Sequence, residues 1–108
     1  MPTLFDPISL SPALSLPNRM LMAPLTRGRA TREAVPTPLM AEYYAQRADA
    51  GLIISEATGI SREGLGWPFA PGLWTAAQVE GWKPVVRRGP DPWRQWLSDR
   101  PDRPIPPR

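Results

Sequence analysis

The sequence contains no cysteine and no histidine among its 108 residues. The chain therefore has no disulfide, no thiolate nucleophile and no imidazole general base, and the usual zinc ligands are missing as well. Long apolar runs are also lacking, and the first residues carry no basic segment. We therefore expect neither a membrane-spanning helix nor a secretory signal, and the default expectation is a cytoplasmic protein without a bound metal.

The net charge of +3 is confined to one end of the chain. Residues 1–86 carry seven basic and seven acidic side chains, whereas residues 87–108 carry six arginines, three aspartates and six of the sixteen prolines. A segment so poor in aliphatic residues cannot offset the entropy of ordering itself. The sequence therefore predicts a folded part over residues 1–86 and a disordered, arginine- and proline-rich tail over residues 87–108.

Several short apolar runs in the folded part have the character of strands. Residues 7–10 and 14–16 alternate between apolar and polar positions, which predicts a small hairpin or a plug-like N-terminal lid. The near-continuous runs at residues 19–23 and 52–56 are typical of strands buried on both faces of a parallel sheet.

A helix is predicted between these two buried strands. Thr37 supplies a hydroxyl at the N-cap, Pro38 suits the first helical position, and Gly51 stands where a left-handed C-terminal cap is wanted. A second helix is predicted to begin at Thr75, with a capping box, and to include Pro84. The order strand, helix, strand is that of a βαβ crossover, so the fold class is α/β.

Several motifs of the folded part carry a resemblance to a known family. They are Leu4-Phe5-Asp6-Pro7, Leu16-Pro17-Asn18-Arg19, Met22-Ala23-Pro24-Leu25-Thr26-Arg27, Val35-Pro36-Thr37-Pro38, Tyr43-Tyr44-Ala45-Gln46-Arg47-Ala48, Ile54-Ser55-Glu56-Ala57-Thr58 and Gly72-Leu73-Trp74-Thr75. Together they resemble the N-terminal segment of the Old Yellow Enzyme family, which comprises FMN-containing NAD(P)H oxidoreductases and ene-reductases on a (β/α)8 barrel. The resemblance covers residues 1–86 and implies the first two β/α units of such a TIM barrel, preceded by a short N-terminal hairpin.

A closed barrel of this kind typically needs about 250 residues, so the resemblance implies an incomplete barrel, an N-terminal fragment. In the family, the turn after the first barrel strand lies against the flavin ring, which implies FMN contacts at Ala23, Pro24, Leu25 and Thr26. Thr26 matches a threonine whose hydroxyl bonds a flavin carbonyl, and Ala57 matches a small residue beside the flavin.

The resemblance assigns no catalytic residue to this chain. The family's substrate-binding His/Asn or His/His pair, its tyrosine proton donor and its FMN phosphate site come from later strands. The implied chemistry is hydride transfer from NAD(P)H through FMN to an activated alkene of the enone type. Whether this chain performs it is left open.

Two further groups of residues have simpler interpretations. Tyr43 and Tyr44 are adjacent aromatic residues on a predicted helix, where core packing is more common than catalysis. Arg27, Arg29 and Arg32 form a basic cluster that could attract phosphate, although a solvated loop is the more common arrangement.

The tail is open to a specific hypothesis about its origin. One set of codons for Pro92–Pro101, read from the second nucleotide, encodes His-Gly-Ala-Asn-Gly-Tyr-Leu-Ile-Asp-Gln, which resembles the family's active-site motif with its His, Asn and Tyr. An internal deletion after about Val86 that also shifted the reading frame would produce this tail. The coding nucleotides of the tail test the hypothesis directly.

Three functional hypotheses follow from the sequence. The first, which we favour, is an ene-reductase fragment that is inactive alone. The second is a flavin protein completed by a further polypeptide or by self-association through exposed strand edges. The third is a binding module whose basic tail contacts nucleic acid or another acidic partner, for which disorder of residues 87–108 is the simpler explanation.

Overall fold

The computed structural model describes the backbone of residues 1–99 and the side chains of residues 1–95. Within these bounds the chain forms four short strands and three helices. They are β1 (Ile8–Ser11), β2 (Leu14–Leu16), β3 (Leu21–Met22), α1 (Pro38–Ala45), β4 (Leu52–Ile53), α2 (Ala76–Arg87) and α3 (Asp91–Asp99).

The N-terminal hairpin is confirmed. Strands β1 and β2 pair antiparallel, with Ile8 opposite Leu16 and an irregularity between Ser9 and Ser11. Leu16 is buried and anchors the hairpin to the rest of the chain, while most of β1 is exposed.

The predicted parallel strand pair is present but shorter than expected. Strand β3 pairs with β4 in parallel, with Leu21 opposite Leu52 and Met22 opposite Ile53. One further hydrogen bond joins Ile54 N–H to the Met22 carbonyl at 3.0 Å. Beyond this point Pro24 has no N–H to donate, and the N–H of Glu56 is bonded to a side chain of α1 instead. The paired part of each strand is therefore only two residues long.

Helix α1 begins as the sequence predicts and ends earlier. The Thr37 hydroxyl accepts from the N–H of Met40 at 3.4 Å, Pro38 is the first helical residue, and Gln46 is the C-cap. The prediction of a left-handed cap at Gly51 is wrong, because this glycine does not have a positive φ. A side chain at Gly51 would instead collide with the backbone oxygen of Asn18, so glycine is needed there for close approach of two chain segments.

The capping box of α2 is confirmed and extends into a larger network. Gln78 N–H donates to the Thr75 hydroxyl at 3.2 Å, and Gln78 Oε1 accepts from Thr75 N–H at 3.0 Å. The same buried side chain accepts from Trp74 N–H at 2.7 Å and donates to the Glu33 carbonyl at 3.1 Å. Gln78 therefore fixes both the start of α2 and the loop that precedes α1.

Helix α3 lies in the stretch that was predicted to be disordered. The Pro90 carbonyl accepts from Trp93 N–H at 3.0 Å and from Arg94 N–H at 3.3 Å, which begins the helix. Pro90 and Pro92 are buried, and α3 packs against α2 and β2. A helix therefore spans Asp91–Asp99, where the sequence predicts disorder, and its Trp93 packs against the hydrophobic core. Residues 100–108 of the predicted tail lie outside the described residues.

The hydrophobic core lies between the helices and the parallel strand pair. Its buried members come from α1, β4, α2 and the loop before α1: Ala30, Met40, Ala41, Tyr44, Ile53 and Val85. Burial of these side chains holds α1 against the strand pair and leaves the carboxyl ends of β3 and β4 at one edge of the molecule.

Candidate cofactor-facing site

The five residues assigned to the cofactor follow the ends of two neighbouring parallel strands. Ala23, Pro24, Leu25 and Thr26 come directly after β3, and Ala57 comes four residues after the last residue of β4. All five are exposed, with Leu25 at 55%. The structure thus places them at the carboxyl ends of the strands, where α/β barrels bind their ligands.

A single buried carboxylate connects the two halves of this edge. Glu56 Oε1 accepts from the N–H of Arg27 at 3.4 Å, and Oε2 accepts from the Tyr44 hydroxyl at 2.8 Å. The side chain of Glu56 is 2% exposed. Because Arg27 follows Thr26 and Glu56 precedes Ala57, this carboxylate joins the two segments that carry the candidate cofactor residues.

Glu56 was not singled out from the sequence. The available signal was an acidic residue at the end of a buried strand, near a helix that carries Tyr44. Such a carboxylate must find donors when it is buried. That signal does not say which donors it will find.

Tyr44 is a core residue rather than an exposed acid. Burial raises the pKa of Tyr44 above its usual range, and the neighbouring Glu56 side chain raises this pKa as well. The hydroxyl therefore stays protonated and donates to Glu56, and the same oxygen accepts from Glu56 N–H at 3.0 Å. Tyr43 packs edge-on against Tyr44, with ring centroids 5.3 Å apart.

Two arginines of the basic cluster in the loop after β3 contact neighbouring residues. The guanidinium of Arg27 lies 5.3 Å from the centre of the Tyr43 ring. Arg29 Nη1 donates to the carbonyls of Arg27 and Gly28 at 3.2 and 3.3 Å. Arg27 and Arg29 line a cavity of about 220 Å³ beside Glu56. The third arginine, Arg32, is exposed. Two of the three arginines thus shape the loop itself.

Two loops are joined next to this edge by residues with left-handed backbone. Ala34 has a φ of 62° and its carbonyl accepts from Gly72 N–H at 2.8 Å. Phe69 has a φ of 61° and its carbonyl accepts from Ala30 N–H at 2.9 Å. Such conformations cost energy for residues other than glycine, so these carbonyls are held in place by the surrounding contacts.

The exposed strip is compatible with a flat heteroaromatic ring. Ala23, Leu25 and Ala57 present small or apolar side chains to solvent, and Thr26 adds one hydroxyl that can donate a hydrogen bond. This donor set suits one wall of a flavin site. In barrels of this kind the phosphate site is typically built after the seventh and eighth strands. Among the described residues, β3 and β4 are the one pair of parallel strands, and a single parallel bridge joins Gly59 to Gly72.

Residues 3–88 match the sequence model of the NADH:flavin oxidoreductase / NADH oxidase family. The chain belongs to this family. It is similar to the old yellow enzyme homologue of Zymomonas mobilis, at 68% identity and a TM-score of 0.77 over 81% of this chain and 24% of that one. Morphinone reductase in complex with tetrahydroNAD gives 57% identity and a TM-score of 0.76 over 82% of this chain and 24% of the other.

A similar relationship holds for the flavin oxidoreductase hxnT of Emericella nidulans, which is 48% identical over 88 residues, or 77% of this chain and 22% of the relative. The chain therefore spans about a quarter of the length of these relatives.

The matches confirm the resemblance to the Old Yellow Enzyme family. The fold is α/β and forms part of a TIM barrel. The family is one of oxidoreductases that use FMN and NAD(P)H and act on small molecules. The matches do not support the alternative of a basic-tailed binding module. Among residues 1–99, no helix has the length and apolar character needed to cross a membrane.

Proposed function

We propose that this chain supplies one wall of the flavin site of an FMN-dependent NAD(P)H ene-reductase and is inactive by itself. The observation that carries the proposal is the placement of Ala23–Thr26 and Ala57, exposed and side by side at the ends of β3 and β4. In this proposal β3 with α1 and β4 with α2 correspond to the first two β/α units of the barrel, and β1 with β2 forms the hairpin that precedes them.

Each residue of the wall has a limited role. The apolar side chains of Ala23, Leu25 and Ala57 exclude water from one side of a bound ring, and the Thr26 hydroxyl donates a hydrogen bond that stabilises charge on that ring. When bound, FMN would supply the redox step, accepting a hydride from NAD(P)H and passing it to an activated alkene. The chain's own contribution is binding and orientation.

We expect the isolated chain to be inactive because it lacks the groups that bind substrate, donate a proton and hold the FMN phosphate. It has no histidine to bind a substrate carbonyl. Its most deeply buried tyrosine, Tyr44, is bonded to Glu56 and has a raised pKa, so it is a poor proton donor to a substrate. Nor does the described part contain the later strands that build the phosphate site. One wall of the site cannot hold the cofactor firmly.

The experiment compares the purified full chain with a mixture that completes the barrel. The second component is a polypeptide carrying the remaining strands of a full-length relative. We expect the chain alone to be colourless, to bind no stoichiometric FMN in a fluorescence titration and to oxidise no NADPH. The mixture is expected to acquire flavin absorbance.

This experiment tests the inactivity of the chain and its role as a cofactor wall separately. Tightly held, stoichiometric FMN on the chain alone would show that the wall is sufficient and would overturn the inactivity. A mixture that assembles, as seen by co-purification, but acquires no flavin would overturn the role as a cofactor wall. The full-length relative, which needs no assembly, is the positive control.

A further inference from the structure

Strand β4 has one edge paired with β3 and one edge facing away from it. The N–H groups of Leu52 and Ile54 donate to the carbonyls of Met20 and Met22, at 3.4 and 3.0 Å, so these two residues face β3. Backbone groups of successive strand residues point in opposite directions. The N–H and carbonyl of Ile53 therefore point to the outer edge of β4, where a third parallel strand of a barrel would pair.

The outer edge is occupied by a side chain of α3. Trp93 Nε1 donates to the Ile53 carbonyl at 3.0 Å. The indole ring also lies edge-on to Tyr44, with centroids 5.4 Å apart and planes inclined at 63°. Within the described residues, α2 is thus followed by a helix whose tryptophan bonds to β4, and not by a third strand.

The turn before α3 is shaped for this ring. A Cβ atom at Gly89 would collide with the six-membered ring of Trp93, so the glycine allows the indole to lie against the chain. Pro90 and Pro92, on either side of the helix start, are both buried. The contact of Trp93 with β4 is therefore part of a packed arrangement that begins at the end of α2.

Beside this edge lies an open apolar groove of about 560 Å³. Its walls come from β4, α2, α3 and the hairpin, and include Leu14, Leu52, Ile54, Trp82, Val86 and Trp93. If Trp93 left this edge, the groove would favour the addition of a further strand, because the edge would offer hydrogen bonds and the groove apolar burial.

We propose that α3 is an internal cap on the outer edge of β4, and that it hinders pairing of this edge with a second copy of the chain. The proposal rests on the position of Trp93 and is independent of flavin binding. Within the part of the chain that the structure describes, no side chain caps the outer edge of β3 in this way. The backbone of Leu21 faces away from β4 by the same alternation, and this residue is 54% exposed. Self-association of the unaltered chain is therefore expected to use β3.

The test is the self-association of the full chain, measured by sedimentation velocity over a range of concentrations. Trp93→Ala removes the cap, and Trp93→Phe keeps a ring against Tyr44 but cannot donate to the Ile53 carbonyl. Trp67→Ala is the matched control, since Trp67 is 68% exposed. We expect Trp93→Ala to raise the association constant at least tenfold, Trp93→Phe to raise it less, and Trp67→Ala to leave it unchanged.

A second readout identifies the contact that forms. Pairing through strand edges adds intermolecular β structure, so the amide I infrared spectrum of associated Trp93→Ala should gain the band of intermolecular strands. Association without that band would overturn the proposal, as would an unchanged association constant in a folded Trp93→Ala variant. If Trp93→Ala does not fold, Trp93→Phe decides: a folded Phe variant that associates like the unaltered chain shows that Trp93 serves packing only.

Discussion

Tyr44 and Glu56 are hydrogen-bonded to each other in both directions. The tyrosine hydroxyl donates to the Glu56 carboxylate at 2.8 Å and accepts from the backbone N–H of the same residue at 3.0 Å. Both side chains are almost completely buried, at 1% and 2% exposure. Helix α1 and the end of strand β4 are thus joined beside the edge that carries the candidate cofactor residues.

Replacing Tyr44 by phenylalanine should destabilise the chain strongly. The substitution leaves a buried carboxylate oxygen and a buried N–H without their partner, and each unsatisfied group costs about 1–3 kcal/mol. We expect the free energy of unfolding in urea to fall by about 2–4 kcal/mol. Tyr43→Phe, which removes the hydroxyl of the half-buried neighbour, is the control and should change it by less than about 0.5 kcal/mol. Equal effects of both substitutions would contradict the assignment.

The raised pKa of Tyr44 predicts a loss of stability in base. Its usual value is about 10, and burial raises the pKa in the folded state, so the folded chain holds the proton more tightly than the unfolded chain does. The contribution is complete below about pH 10 and is lost as the pH rises further, by up to about 1.4 kcal/mol per pH unit. Urea unfolding from about pH 8 to 11 measures it. Tyr44→Phe should show a shallower decline; an identical pH slope would show that Tyr44 does not cause it.

Close approach at Gly51 predicts a position-specific effect of one methyl group. Gly51→Ala would drive a Cβ atom into the backbone of Asn18, which precedes β3. Gly66→Ala is the matched control, because a Cβ atom there meets nothing within 4 Å. We expect Gly51→Ala to lower the free energy of unfolding by about 1–3 kcal/mol or more and Gly66→Ala to leave it nearly unchanged. Thermal unfolding followed by circular dichroism compares the two.

The hydroxyl of Thr26 should affect the flavin without affecting the fold. Thr26 is exposed, so Thr26→Val is expected to change the free energy of unfolding of the chain by less than about 0.5 kcal/mol. In the mixture that completes the barrel, loss of the donor should lower the midpoint potential of the flavin, because charge on the reduced ring is less stabilised.

Ser15→Ala, which removes an exposed hydroxyl from the hairpin, is the control and should leave the potential unchanged. An unaltered potential in Thr26→Val, with flavin bound, would show that Thr26 does not contact the ring.

Local signals in the sequence predicted the elements that local chemistry determines. Thr37 and Pro38 start a helix because one caps a free N–H and the other fixes φ, and Thr75 with Gln78 does so through a capping box. The strand order could also be predicted, since a helix between two buried runs implies a parallel crossover.

The remaining features depend on contacts between distant segments. Gly51 was assigned to a helix cap, but the backbone of Asn18 determines its role. Helix α3 was missed because its stability comes from Trp93 reaching Ile53 and Tyr44, which composition does not reveal. The strand-end residues of the candidate site were assigned through the family resemblance, and their contact with a cofactor stays a prediction. Glu56 was missed because its donors come from α1 and the loop after β3.

The parallel ladder between β3 and β4 contains only two residue pairs, so backbone pairing alone specifies their alignment weakly. A slip by one residue would move Glu56 by about 3.3 Å, out of hydrogen-bonding reach of both Tyr44 and the Arg27 N–H. The native alignment is therefore the one in which this acid is satisfied. The hydrogen bonds of Glu56 thus fix the register of β3 and β4 at the edge where the proposed coenzyme would bind.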